Sequence, residues 1–452
     1  MQSRDFPLTQ RRPNARLILQ RGTLFDSFSF VAAQGLMIAS FVMWGGLFNL
    51  NTVDTPKIAG LLPLQDILAG ISSLLLVLVL MTKTRLRRNI AIIAGAVFFL
   101  FGFGILVGAL NDNRLINVAA EARPFLYMTA GTALLLVLKM PTVDKLIRFY
   151  AVLMSTAILL QFVLLVVVGD RFIFFSEVHL GNQFTLDLPF VRPQAFHLVM
   201  CGFILAILRR GRGRFGLGTW VMLAALLVAQ SKTQWLITGA VVVLAILSAR
   251  TVATKSKLLL IGLAGAIGLS TALIPVNIGG QEKSVADFVY EKFAILFQQR
   301  DVADALVGVR IEESRLMLEG LDGSVEAWFL GQGFGYAYRD PDLFFYRAND
   351  RDLERLSIFG HNYFAWFLLK VGAVGIILFG LVHFIVLASA RIGSFDQKRF
   401  AITAIVLLLS AATLGSLENP LGGFLYGLML AAAAQRGYYS GTSESSQLIP
   451  GK

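Results

Sequence analysis

The sequence predicts an all-α fold, a polytopic membrane bundle of about twelve transmembrane helices interrupted by one long loop. Three observations carry that prediction. Of 452 residues, 56% are hydrophobic and 15% charged, against roughly 25% charged in an average soluble domain. The apolar residues gather in runs of about 16 to 28, near the number of helical residues that crosses a bilayer core. Lys and Arg concentrate in alternate connections between those runs, as membrane topology requires.

Residues 1–27 are polar and basic and form a first tail. The run at 28–48 is too long for a signal-peptide core and lacks a small-residue cleavage site after it, so it reads as a retained span. Further runs occupy 58–81, 90–110, 117–138, 146–168, 193–208, 215–230, 234–249, 258–276, 362–389, 399–416 and 420–435. The stretch 215–249 looks continuous, but about 35 helical residues would extend about 50 Å, well beyond a core of about 30 Å. Two short spans meeting at Gln230-Ser231-Lys232-Thr233 satisfy the length and leave the flanking basic clusters on one side. Spans one to nine thus fill 28–276, and spans ten to twelve fill 362–435.

The N-terminal tail, 82–89, 139–148, 209–214, 250–257, 390–399 and the tail at 436–452 hold 24 of the 40 Lys and Arg. Short connections on the opposite side hold five: Lys57, Arg114, Arg171, Arg192 and Lys232. Both termini are therefore expected in the cytoplasm. The end of the chain, GTSESSQLIPGK, reads as a disordered tail.

One connection, 277–361, is long and faces outside on this count. Over 277–360 it carries 15 Asp and Glu against nine Lys and Arg, a net charge of −6. The whole chain's +12 is therefore no exported polybasic platform, and nucleic acid is not expected as a partner. SVADFVYEKFAILFQQ sets Val285, Phe288, Val289, Lys292, Phe293, Leu296 and Phe297 near one helical face, the pattern of an amphipathic helix on the outer leaflet or packed on the spans. VGVRIEESRLMLEGL reads as a second helix, FLGQGFGYAYRDPD as a glycine-rich loop, and FFYRANDRDLERLSIFG as a charged segment returning to His361.

The lone Cys201 excludes an intrachain disulfide and reads as a packing residue. None of the four histidines has metal-ligand spacing to another on one helix face, so no metal is expected. His383 follows His361 by 22 residues, about 33 Å of helix, and belongs near the inner leaflet. His197 opens a span, and His179 lies in an exposed loop. His361 combines a helix N-terminus with the outer boundary, where unpaired N–H groups favour an anion. An interfacial anchor is its plainer reading.

The order of motifs around His361 carries a resemblance. GHNYFAWFLLKVGAVG at 360–375, preceded by Arg310 and by FLGQGFG at 329–335, is similar to the signature region of the O-antigen ligase and polymerase superfamily. EARPFLYM at 121–128, VRPQAFH at 191–197 and the hairpin Ser231-Lys232-Thr233 resemble the preceding spans of that family. Where the family often has Ser-Arg in the hairpin, this chain has Ser231-Lys232, which removes a bidentate donor.

That resemblance implies a bacterial inner-membrane glycosyltransferase, inverting and independent of metal or other cofactor, joining undecaprenyl-diphosphate-linked glycans on the periplasmic face. The acceptor would be a second lipid-linked glycan, as in an exopolysaccharide or O-antigen polymerase, or lipid A core, as in an O-antigen ligase. Flippase and chain-length regulator proteins are the implied partners, beside the membrane lipids. His361 is the candidate catalytic base, since an imidazole titrating near neutral pH suits proton removal from a sugar hydroxyl. Arg310, Arg192, Arg123 and Arg315 are candidates for the diphosphate, which planar guanidinium groups grip two oxygens at a time. Asn362, Lys232, Gly331 and Gly333 complete the candidate substrate site.

Each has a plainer reading. Arg315 has Glu312 and Glu319 in ion-pair register and lies about 140° from Arg310 around a helix. Arg192 precedes Pro193 and suits an interfacial snorkel. Arg123 lies inside a span, where Glu121 or neighbouring helices would have to satisfy it. Asn362 is a helix-start residue and the glycines suit a turn. Asp350-Arg351-Asp352 resembles the metal-binding motif of nucleotide-sugar transferases, whose donors are cytoplasmic. A small-solute or bicarbonate-type transporter is the alternative of another class, and an envelope-assembly scaffold a third.

Overall fold

The structure, a computed structural model, describes residues 27–36, 38, 57–58, 62–81, 87–168, 178–179, 190–191, 196–209, 216–229, 232–248, 252–271, 275–278, 281–284, 311, 313–339, 356–357, 362–414, 417 and 420–435. Among them the architecture is helical, with a helix in each of the twelve apolar runs. These are α1 (27–36), α2 (Leu64–Met81), α3 (Arg88–Leu110), α4 (Leu115–Val137), α5 (Met140–Val168), α6 (Phe196–Ile207), α7 (Leu217–Val228), α8 (Lys232–Ser248) and α9 (Val252–Thr271). After the long connection, which contributes α10 (313–319) and α11 (Val325–Leu330), come α12 (Tyr363–Ile392), α13 (Phe395–Leu414) and α14 (Pro420–Ala434). The described strands form only antiparallel ladders of two to four residues, such as Tyr338–Arg339 with Leu356–Ser357.

Among the described residues, three helices are long and apolar enough to cross a membrane: Arg88–Leu110, Met140–Leu164 and Tyr363–Ile392. Shorter apolar helices lie within α2, α6, α7, α8 and α14. The length and apolar composition of these helices suit a membrane-embedded chain. The break expected in 215–249 is present, since α7 ends at Val228 and α8 begins at Lys232.

Burial sorts the helices. Every residue of α14 from Pro420 to Ala434 is buried, as is every residue of α6. A helix apolar on all sides belongs inside a bundle, and α14 packs against α3, α4, α12 and α13. By contrast α3 exposes Phe98, Phe99, Leu106 and Leu110, and α12 exposes Ile377, Leu381 and Phe384. In a bilayer these faces meet acyl chains.

Since lipid is as apolar as leucine, helices associate there by close packing of small residues. The α4–α14 contact is of this kind. A Cβ on Gly427 would lie 2.1 Å from the Met128 carbonyl oxygen, one on Gly423 2.3 Å from that of Pro124, and one on Gly131 2.3 Å from that of Phe424.

Polar contacts define one end of the bundle. Arg87 Nη1, just before α3, donates to the carbonyls of Leu135 (2.8 Å) and Leu138 (3.2 Å) at the end of α4. Asn89 donates to Ser389 Oγ on the last turns of α12 at 3.3 Å. Asp144 on α5 pairs with Arg148 (2.8 Å) and with Arg399 of α13 (3.4 Å). Arg399 also pairs with Asp396 (2.9 Å) and donates to the Leu205 carbonyl on α6 (2.7 Å). Basic segments that the charge pattern assigns to one side, those around Arg87, Arg148 and Arg399, therefore share one end.

Replacing Gly427 by Ala is expected to force α4 and α14 apart and lower the melting temperature in detergent, a loss of about 1–3 kcal/mol by overpacking. Gly239→Ala, on an exposed face with open space around it, is the control and should melt at or slightly above the parent. Equal melting of the two variants would show that the α4–α14 contact is loose.

Candidate functional site

The opposite end of the bundle is built around the glycine loop. Gly331, Gly333 and Gly335 have φ of 76°, 77° and 85°, a region that favours glycine, and all three are buried. Side chains there would collide with other backbone. A Cβ on Gly333 would lie 2.0 Å from Gly108 N, and one on Gly331 2.6 Å from the Lys370 carbonyl carbon.

The loop fits into a break in α12. Gly372 has φ 59° and ψ −167°, a conformation outside the helical region. A continuous helix would give the carbonyls of Leu369 and Lys370 to residues 373 and 374. Instead these carbonyls accept from Gln332 N (2.7 Å) and Gly333 N (3.0 Å). Gly331 N donates to the Ala327 carbonyl (2.8 Å), Phe334 N to that of Gly104 (2.9 Å), and Gly335 N to Glu121 Oε2. On the acceptor side, Asn113 Nδ2 donates to the carbonyls of Gln332 and Phe334, both at 2.9 Å, and Asn111 Nδ2 to that of Gln332 at 3.1 Å.

A buried ion pair joins these parts. Lys370 Nζ lies 2.6 Å from Glu121 Oε1, and both side chains are fully excluded from solvent. Lys370 Nζ also donates to the Tyr336 carbonyl, and Trp366 Nε1 donates to Glu121 Oε1 at 3.4 Å. Phe125, Phe334, Trp366 and Phe367 close around the pair with ring centroids 5.1 to 6.3 Å apart. Two groups held dry in this way need further hydrogen bonds, which the Tyr336 carbonyl, the Gly335 N–H and the Trp366 indole supply.

Asn362 forms the N-cap of α12. Its Oδ1 accepts from Phe364 N (3.2 Å) and Ala365 N (3.3 Å), and its Nδ2 donates to Ser314 Oγ of α10 (3.0 Å). The cap thereby ties the start of α12 to α10, where Glu313 accepts from the Tyr338 hydroxyl at 3.2 Å.

The sequence-predicted residues divide accordingly. His361, Arg310 and Arg192 lie outside the described residues, as do Asp350-Arg351-Asp352 and residues 285–299 of the amphipathic segment. Lys232 is the first residue of α8, and its side chain is likewise outside the description. Arg123 is half-buried on α4. Glu121, considered above as its partner, is engaged by Lys370 instead, and residues two apart on a helix point to different sides. Arg315 is exposed and pairs with Glu319 one turn on. Gly331 and Gly333 present their N–H groups to protein carbonyls, so what they provide is close packing of the loop on α3 and α12. His383 is half-buried, with Nδ1 2.7 Å from the Phe379 carbonyl and Nε2 bonded to the Tyr426 hydroxyl.

Sequence reading missed the Glu121–Lys370 pair. Its signal was there: opposite ionisable residues inside two spans, each a few turns from the same boundary, need each other. It also missed α11, placing Phe329 and Leu330 in the loop. Ser324, whose Oγ accepts from Ala327 N at 2.9 Å, and Gly331 mark its two ends. No family model matches the chain, and no curated protein matches it.

Glu121→Gln and Lys370→Met should each strand the partner left behind and lower the unfolding free energy in detergent by about 3–5 kcal/mol. The double variant leaves no net charge and should be less destabilised than the sum of the singles. Additive losses would mean that the two side chains do not interact.

Proposed function

We propose that the chain is an inner-membrane glycosyltransferase that joins undecaprenyl-diphosphate-linked glycan units on the periplasmic face, as an exopolysaccharide or O-antigen polymerase. The observation that carries this reading is the hydrogen bond of Asn362 to Ser314. It links the residue bonded to His361 with the helix that follows Arg310 by a few residues, and it does so at the end of the bundle opposite the Arg87–Arg148–Arg399 cluster. Under the positive-inside rule that cluster is cytoplasmic and the glycine-loop end is periplasmic. Twelve crossings with both termini inside complete the proposed topology.

In the proposed reaction, the acceptor hydroxyl oxygen attacks the anomeric carbon of the donor as the bond to the diphosphate oxygen breaks. His361 takes the hydroxyl proton, and undecaprenyl diphosphate leaves with the bonding electron pair. A single displacement of this kind inverts the anomeric centre. Charge accumulates on the leaving diphosphate, so fixed guanidinium groups stabilise the transition state more than the bound donor. Arg310, Arg192 and Arg123 are assigned that role, and Lys232 supplies a further point charge. Arg315, committed to Glu319, is a secondary ligand.

A second reading has one observation in its favour. A helix broken at Gly372 beside buried charges is a form that transporters use. Here the freed carbonyls are taken by the glycine loop rather than left to a solute.

His361→Ala and Arg310→Ala are expected to abolish chain growth from a lipid-linked repeat unit while the protein stays in the membrane. Growth at the parental rate in both variants would defeat the catalytic assignment. Adding lipid A core separates the activities, since a ligase labels the core and a polymerase lengthens the glycan. Uptake of a labelled solute into vesicles containing only this protein would establish the transport reading instead.

A further inference from the structure

Past its first turn, where Phe364 is exposed, α12 shows no lipid face as far as Gly372. From Ala365 to Gly372 every residue is buried except Leu368, which is half-buried, whereas Ile377, Leu381, Phe384 and Leu387 farther along are exposed. A span should expose apolar side chains along its whole length unless something covers it. Here α11 and the glycine loop are the cover. Phe329 O would lie 2.3 Å from a Cβ at Gly372, and the loop amides occupy the helix break.

The depth of this cover follows from its contacts. Gly372 is nine residues into α12, about 14 Å along the helix, and Gly104, which receives Phe334 N, is six residues, about 9 Å, inside the end of α3. The end of α3 is marked by the polar turn Asn111-Asp112-Asn113-Arg114. The end of α11 whose Phe329 carbonyl meets Gly372 exposes Trp328, Phe329 and Leu330. Its other end, from Asp322 to Glu326, is also exposed and is polar or glycine except for Val325. Three of the four exposed apolar residues of α11 thus lie at the end whose backbone meets Gly372.

We infer that Gly323–Gly335 is a re-entrant element whose helix dips into the leaflet at the glycine-loop end, with Trp328, Phe329 and Leu330 packed against phospholipid acyl chains. Irregular backbone is tolerated at membrane depth only when protein satisfies it. The saturated amides of 331–335 meet that condition, while the helical turns of α11 satisfy themselves. The occupant of this apolar face is bulk lipid, because the face continues those of α3 and α12 that acyl chains cover. This placement stands apart from the proposed glycan chemistry.

Tryptophan quenching tests it in the full chain reconstituted in vesicles. Brominated phosphatidylcholine, with bromines in the acyl chain, quenches only indoles in the core, and acrylamide reaches those in water. The emission lost in Trp328→Phe relative to the parent should be quenched by the brominated lipid and spared by acrylamide. A nitroxide at Phe329→Cys, in a Cys201→Ala background, should collide more with oxygen than with a water-soluble nickel chelate. Acrylamide quenching with chelate contact would overturn the inference, placing α11 in water. Emission that neither quencher reaches, with a nitroxide shielded from both collision partners, would overturn it too, since protein would then cover the helix.

Discussion

A non-helical backbone buried inside a membrane bundle has nowhere to send its polar groups except into protein, and that constraint shapes this fold. Five consecutive N–H groups, from Gly331 to Gly335, find acceptors on α11, α12, α3 and α4. The acceptors exist because α12 breaks at Gly372, because α3 offers the Gly104 carbonyl, and because Glu121 turns a carboxylate oxygen to the loop. Glu121 is itself held inside the bundle by Lys370. One ion pair thus holds α4, α12 and the loop in a single arrangement, and the surrounding aromatic rings keep water from it.

Much of this architecture was legible in the sequence, for identifiable reasons. Helix in the apolar runs follows from their length and from the absence of water to satisfy backbone groups. The break between α7 and α8 followed from a length argument, and the sidedness of the basic loops foretold which helix ends would gather. Asn362 read as a helix start and forms an N-cap. What escaped was pairing across long sequence separation. Glu121 was weighed against its neighbour Arg123, although helical geometry turns those two apart and a residue 249 positions later takes it. The glycines were read as a ligand cradle, since flexibility is visible in sequence and the Gly108 backbone that fills the space beside Gly333 is not.

The two ends of the bundle now have distinct characters. At one, Arg87, Asp144, Arg148, Asp396 and Arg399 knit helix termini through ion pairs and carbonyl contacts. At the other, the buried pair and the Asn362–Ser314 bond fix the approach of α10 and α12 to one another. A rigid floor of this kind is what a positioned base and a set of phosphate ligands require, since small displacements cost large factors in rate. The proposed glycan-joining centre would stand on that floor, with acyl chains beside α11.

Everything rests on the glycine loop being locked into the bundle rather than lying loosely on it. Amide hydrogen exchange over residues 329–337, followed by mass spectrometry of the detergent-solubilised protein, reads this directly. The account predicts that the amides of Gly331 to Gly335 exchange as slowly as those of Ala365 to Lys370 in α12. Exchange of the loop at the rate of an open peptide, with α12 still protected, would contradict it.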